Sequence, residues 1–210
     1  MKLYDAERAP SPRRVRIYLA EKGIEVPRER IDLRSDEQRN DAYLAINPRG
    51  AVPALELDDG EVICESAAIC RYFEALHPAP PLFGATPIEI ARIESWTRRI
   101  EADGYAAVGY VFRNTLPAFK DRAVVGNLGA VPQIPELATR GAIMWNAFTE
   151  ALDRQLADRR WVTGDAYSFA DITALVTLDF ARAARLEVAA RHTNLLRWHG
   201  EASARASAKA

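Results

Sequence analysis

Residues 77–88 read His-Pro-Ala-Pro-Pro-Leu-Phe-Gly-Ala-Thr-Pro-Ile, a stretch too rich in proline to lie inside a helix or a central strand. It constrains the fold more than any other feature, because the hydrophobic periodicity differs on its two sides. Before it, short β-prone runs alternate with helical ones; after it, only helical spacing recurs. A chain of 210 residues can hold two small units, each with its own core. The break predicts an α/β unit over 1–77, a linker over 78–87 and an all-helical unit over 88–210.

In the first unit, residues 2–5 form a short β-prone run. Val15, Tyr18, Leu19 and Lys22 then follow at helical spacing, and Gly23 stands where a helix would stop. Ser11 is the expected N-cap of that helix, with Pro12 at its first position. Residues 28–33 alternate charged side chains with Ile31 and Leu33, so the opening is βαβ with parallel strands. A second helix is expected over 36–45. Residues 54–57 and 61–64 read as a hairpin through Asp59-Gly60, and residues 66–76 as a third helix capped by Ser66. The order βαβαββα describes a small α/β layer with a mixed sheet.

The remainder reads as helices over 89–115, with weak points at Gly104 and Gly109, and over 137–156. Residues 168–171, Ser-Phe-Ala-Asp, match a capping box with Asp171 in a structural role. They open a segment that is apolar all round, as a fully buried helix is. The alanine-rich tail from Ala202 is expected to fray.

Charge excludes several partners. With 28 Lys+Arg against 29 Asp+Glu the net charge is -1, which gives no electrostatic case for nucleic acid or an anionic membrane. No apolar run reaches spanning length, and the opening MKLYDAERAP lacks the apolar stretch of a secretory signal. Two cysteines cannot make a disulfide framework, so a cytoplasmic setting is expected. Cys64 and Cys70 lie in apolar surroundings without a C-x-x-C spacing and read as core thiols. His77, His192 and His199 lack ligand spacing, so no metal is expected.

Four segments together resemble the cytosolic glutathione transferases, over essentially the whole chain. They are Ala9-Pro10-Ser11-Pro12-Arg13-Arg14-Val15-Arg16; Asn47-Pro48-Arg49-Gly50-Ala51-Val52-Pro53-Ala54-Leu55; Glu65-Ser66-Ala67-Ala68-Ile69; and Gly164-Asp165 followed by Ser168-Phe169-Ala170-Asp171-Ile172. The turn into the first helix is similar to that of nu-like bacterial members, with Ser11 where those carry Asn. The resemblance implies a thioredoxin-like N-terminal domain, a helical C-terminal domain, glutathione as co-substrate and a homodimer with Arg92 and Trp96 at its interface.

Glutathione presents an ammonium and a carboxylate at its γ-glutamyl end, a thiol between two peptide groups, and a glycine carboxylate. Ser66, at a helix start, suits the γ-glutamyl carboxylate, and Glu65 can pair with the ammonium. By the resemblance, the bond before Pro53 is cis, turning the backbone of Val52 toward the cysteinyl peptide. The thiol must ionise, and a free thiol has a pKa of about 8.5. Ser11 is the candidate for holding the sulfur. The first-turn cations Arg13 and Arg14 oppose the helix dipole, which fits either a nearby anion or a solvated basic face.

Two departures from the family pattern stand out. Ala9 occupies the place where several classes carry the activating Ser or Cys, and Ala51 the place of a Lys or Gln that reaches the glycine end. Arg49 or Arg13 is the substitute for the latter. Tyr105, Tyr110 and Phe112, with Phe119, are candidates for an electrophile pocket, or else core or interface. These features leave three readings open: a transferase acting on small hydrophobic electrophiles, a glutathione-dependent disulfide reductase, and a non-catalytic glutathione-binding module.

Overall fold

A computed structural model describes residues 1–210. The chain forms two compact units, one of Met1–Pro80 with Val125–Gly129 and Ala210, the other of Pro81–Val124 with Ala130–Lys209.

The first unit is built on a four-stranded sheet in the order β2-β1-β3-β4, from β1 (Lys2–Asp5), β2 (Arg28–Arg30), β3 (Ala54–Glu56) and β4 (Val62–Cys64). β1 pairs with β2 in parallel, while β1–β3 and β3–β4 are antiparallel. The parallel pair is joined by α1 (Pro10–Lys22), which Gly23 ends in a left-handed conformation at φ 65°. Strand alternation sorts the two faces. Leu3 and Leu55 are paired and fully buried, as are Val15, Ile17 and Tyr18 of α1. Tyr4 and Ala54, on the opposite face, pack with Ile31 and Tyr43.

Residues 36–45, expected as one helix, are two short pieces: a 3-10 turn Glu37–Arg39 and α2 (Asp41–Leu44). Asn40 separates them, because its extended backbone lets its side chain accept the Tyr43 N–H at 2.7 Å. β2 stops three residues earlier than its alternation suggested. Asp32 turns the chain there, accepting the N–H of Arg34 while its own N–H donates to Glu37. Ile31 is buried all the same and donates its N–H to the Asp5 carbonyl at 2.7 Å. α3 (Ser66–Leu76) packs on α1 and buries Ile69, Cys70 and Phe73.

The second unit is helical. Leu82 and Phe83 are buried in it; the Leu82 carbonyl accepts the Phe169 N–H, and the two phenylalanine rings stack at 4.4 Å. α4 (Pro87–Arg99) starts with the reciprocal Thr86/Glu89 capping box, and α5 (Ala106–Thr115) follows after a π-helical turn, Ile100–Tyr105. That wide turn lies where Gly104 was read as a weak point, and Gly104 there faces the Phe148 ring directly. α6 (Pro135–Gln155) crosses α5 so closely that a Cβ on Gly141 would lie 2.7 Å from the Ala107 carbonyl oxygen. α7 (Phe169–Ala183) is the buried central helix. The tail expected to fray is ordered instead: α8 (Thr193–Ser203) buries Ala202, and a 3-10 turn Ala206–Lys209 buries Ser207.

Candidate functional site

The head of α3 departs from the expected cap. Glu65, not Ser66, is the N-cap residue; it sits at φ 70°, ψ 121°, and no side chain caps the turn. Such a conformation costs a non-glycine residue about 1–3 kcal/mol and persists only where its surroundings hold it. Its effect is to leave the N–H groups of Ser66, Ala67 and Ala68 without acceptors in the chain, the first helical bond running from Ile69 to Glu65. Ser66, at the first helical position, is 2% exposed. Its Oγ accepts from Arg14 Nη2 at 2.6 Å and Arg14 Nε at 3.1 Å. A hydroxyl with both acceptor positions filled has only its O–H left to offer, so Arg14 makes Ser66 a donor. Three backbone N–H groups and this O–H then converge at a positive helix end, which suits a carboxylate.

Arg14 was not among the residues singled out for binding; Arg13 was. Arg14 lies three residues after Ser11 on α1 and shares its face, whereas Arg13 points some 200° away from Ser11 around the helix. The signal was the cation pair itself, which suggested an anion without saying which arginine would meet it.

Glu65 and Arg49, both predicted, form an ion pair whose side chains are about two-thirds exposed (65% and 60%). Arg49 belongs to a loop held from several sides. Asn47 accepts the Arg49 N–H, the Ala51 carbonyl accepts from Tyr43 Oη and Asn47 Nδ2 at 2.7 Å each, and the Arg49 carbonyl accepts the Asn127 N–H at 2.7 Å. Gly50 is required here: its φ is 61°, and a Cβ would press on the Gln38 carbonyl and on Asn127. The loop ends in a cis Val52–Pro53 bond. The N–H and C=O of Val52 join neither the sheet nor any turn. Thus Arg49 pairs with Glu65, and the pairing of Ala54 with Cys64 brings the Val52–Pro53 strand entry beside the helix head at Glu65 and Ser66.

Ser11 is not a cap. Ala9 is the N-cap of α1, Pro10 fills the first position, Ser11 the second and Pro12 the third. Prolines carry no N–H, so Ser11 alone supplies both a backbone N–H and a hydroxyl to the first turn. The donor capacity of that helix end is concentrated in one residue.

In the helical unit, Tyr105 and Phe112 belong together and Tyr110 does not. Tyr105 and Phe112 are two turns apart and both meet Phe180, at 5.6 and 5.0 Å, with Phe119 5.0 Å from Phe112. Tyr110 lies about 140° around the helix from Tyr105 and comes up against the α6 crossing at Gly141. Trp96 and Arg99 stack at 4.2 Å beside a groove of about 160 Å³ shared with Met144 and Phe148.

Other candidates have structural surroundings. Cys70 is fully buried and Cys64 half-buried; burial raises both thiols above their ordinary range. No three His, Cys, Asp or Glu side chains are grouped as metal ligands. Asp171 is fully buried with all its acceptor directions filled. Oδ1 takes the Val162 N–H and Trp198 Nε1–H, and Oδ2 takes the N–H and O–H of Ser168. Burial lifts its pKa to about 6 against the pull of these donors. It fixes the start of α7, as the capping box implied.

A thioredoxin-like layer with a donor-rich helix head, followed by a helical unit around a buried helix, defines the class of two-domain glutathione-binding enzymes. The model of the glutathione S-transferase N-terminal domain matches residues 9–76, and that of the C-terminal domain residues 137–201. Glutathione S-transferase 2 of Saccharomyces cerevisiae is 35% identical over all of this chain and 88% of its own. The crystal structure of Gtt2 from the same yeast superposes with a TM-score of 0.90, at 35% identity, over 100% of this chain and 99% of that one. A glutathione S-transferase domain-containing protein of Marinobacter aquaeolei VT8 gives 0.89 at 34% identity, over 99% of each chain. The chain belongs to the glutathione S-transferase family and is an enzyme of that kind.

Proposed function

We propose that this enzyme joins the thiolate of glutathione to small hydrophobic electrophiles. The observation that carries the reading is the head of α3, where Arg14 turns Ser66 into a donor beside three N–H groups without acceptors. Their number and direction suit the γ-glutamyl carboxylate, Glu65 its ammonium, and the unpaired backbone of Val52 the cysteinyl peptide. With Glu65 engaged, Arg49 offers a cation from within the loop for the glycine carboxylate, in place of the side chain that Ala51 lacks. Residues 1–77 thus hold glutathione, and 88–210 supply the electrophile pocket from Tyr105 and Phe112.

Catalysis on this reading is electrostatic. Lowering a thiol pKa of about 8.5 by ~2 units requires roughly 2.7 kcal/mol of anion stabilisation, within reach of the Ser11 hydroxyl and N–H at a helix end. The thiolate then attacks the electrophilic carbon; a C–S bond forms and the leaving group departs with its electron pair. Both cysteines remain free thiols, which supports a cytoplasmic enzyme. The open Trp96 groove supports a homodimer through α4 and α6.

Ser11→Ala is the test. It should lower kcat with an aromatic halide while glutathione affinity holds. No change in either would leave the hydroxyl without a role. Turnover of a mixed glutathione disulfide, with none of the halide, would make the enzyme a disulfide reductase instead.

A further inference from the structure

The rings of Tyr105, Phe112, Phe119 and Phe180 touch one another, yet none is fully buried. Large aromatics in a settled core are covered, so this cluster presents an open apolar surface. A cation lies against it. The guanidinium of Arg113, on α5, is 4.8 Å from the centre of the Phe119 ring, and its Nη1 donates to the Arg122 carbonyl at 3.0 Å. That is its only side-chain hydrogen bond within the chain, and no carboxylate forms an ion pair with it. A guanidinium has five N–H donors in a planar fork. Burial presses its pKa down and the charge of Arg122 adds to this, while the neighbouring Tyr105 acts the other way. With one carbonyl and one ring face as its partners, this half-buried guanidinium keeps most of its donors open to a ligand. If the side chain served only to tie the turn after α5 to its helix, that tie would be redundant. The segment around Arg122 is held by its own bonds: the Ala123 N–H donates to the Val131 carbonyl at 3.0 Å, the Val131 N–H to the Asp121 carbonyl at 2.9 Å and the Gln133 N–H to the Lys120 carbonyl at 3.2 Å, and the Gln133 side chain donates to the carbonyls of Arg113 and Leu116 at 2.8 Å each.

We propose that Arg113 binds an anionic group on the electrophile, so that the enzyme prefers substrates joining an aromatic or aliphatic body to a carboxylate. The rings take the apolar body, and the unused fork of Arg113 takes the carboxylate in two parallel bonds. This rests on the reading of Tyr105 and Phe112 as the electrophile pocket.

A chlorodinitrobenzoate and its methyl ester test it, because both react alike: thiolate sulfur bonds to the ring carbon and chloride leaves. The wild-type enzyme should show a higher kcat/KM for the acid, despite the electron-poorer ring of the ester. Arg113→Met should lower the acid-to-ester ratio by about 10- to 150-fold, and Arg113→Lys should recover part of it. Equal falls for both substrates in Arg113→Met, or a wild-type preference for the ester, would overturn the inference. Affinities of the two glutathione conjugates, measured calorimetrically, separate this from the wider reading. A wild type that turns over neither halide refutes the transferase function, whereas equal affinity for the acid and ester conjugates refutes the role of Arg113.

Discussion

Replacing Ser66 with alanine removes one oxygen from a place where that oxygen has three duties. It accepts from Arg14 at 2.6 and 3.1 Å, and on the present reading it donates to the γ-glutamyl carboxylate. A hydrogen bond to a charged partner contributes about 1.5–3 kcal/mol, so its loss weakens glutathione binding by about 10- to 150-fold. The freed Arg14 fork can turn toward the carboxylate and offset part of this, which places the expected loss near the lower end. The three backbone N–H groups at the head of α3 are untouched by the change. Calorimetric titration with glutathione gives the loss directly. The decisive comparison is a glutathione analogue lacking the α-carboxylate of its γ-glutamyl residue, which should bind the variant and the wild type within about twofold. Equal weakening for both ligands would mean that Ser66 acts by holding the fold. No weakening for either would mean that the carboxylate is bound elsewhere.

Three further outcomes follow from the packing and from the pKa shifts. Asp171→Ala leaves Val162, Trp198 and Ser168 donors unpaired in a buried place and removes the N3 half of the α7 capping box; chemical denaturation should show a loss on the order of 3–5 kcal/mol. Gly141→Ala forces a methyl to 2.7 Å from a backbone oxygen that cannot step aside. The helix-propensity gain of about 1 kcal/mol does not compensate, and thermal unfolding should show a net loss of about 1–3 kcal/mol. Because burial raises the Cys64 thiol, less of it is thiolate at neutral pH than for a free cysteine. Its alkylation should therefore be slow at pH 7 and still rising above pH 9, while Cys70 should react only on unfolding, as mass spectrometry of labelled peptides would show.

Much of the fold is written in local signals. Gly23 needs a left-handed end to α1, Asp59-Gly60 turns the β3–β4 hairpin, and Ser168 with Asp171 caps a helix apolar on every side. Each rests on interactions between near neighbours. The errors came where one residue had two local options. Ser11 and Ser66 are both good cap residues beside helix starts, but Pro10 starts α1 two residues earlier, with Ala9 as its N-cap, and the unusual backbone at Glu65 starts α3 one residue earlier, so neither serine is a cap and the Ser66 hydroxyl accepts from Arg14 instead. Asn40 broke an expected helix in the same way, by bonding to the backbone three residues on. Near the candidate site, the cis bond between Val52 and Pro53 was legible from its motif. Arg14 was not, because its partner Ser66 is 52 residues away and only tertiary packing brings them together. Arg113 was invisible for the converse reason: an arginine in a helix reads as a solvated face until its missing partner is seen.

The central claim is that this enzyme stabilises the glutathione thiolate with Ser11 and the first turn of α1, although Ala9 stands where the family usually places its activating residue. An ultraviolet difference titration of bound glutathione between about pH 5 and 9 follows thiolate absorbance and tests it most directly. The account predicts ionisation roughly 2 units below the free value of about 8.5, moving back toward that value in Ser11→Ala. A bound thiol that titrates like the free one would contradict it.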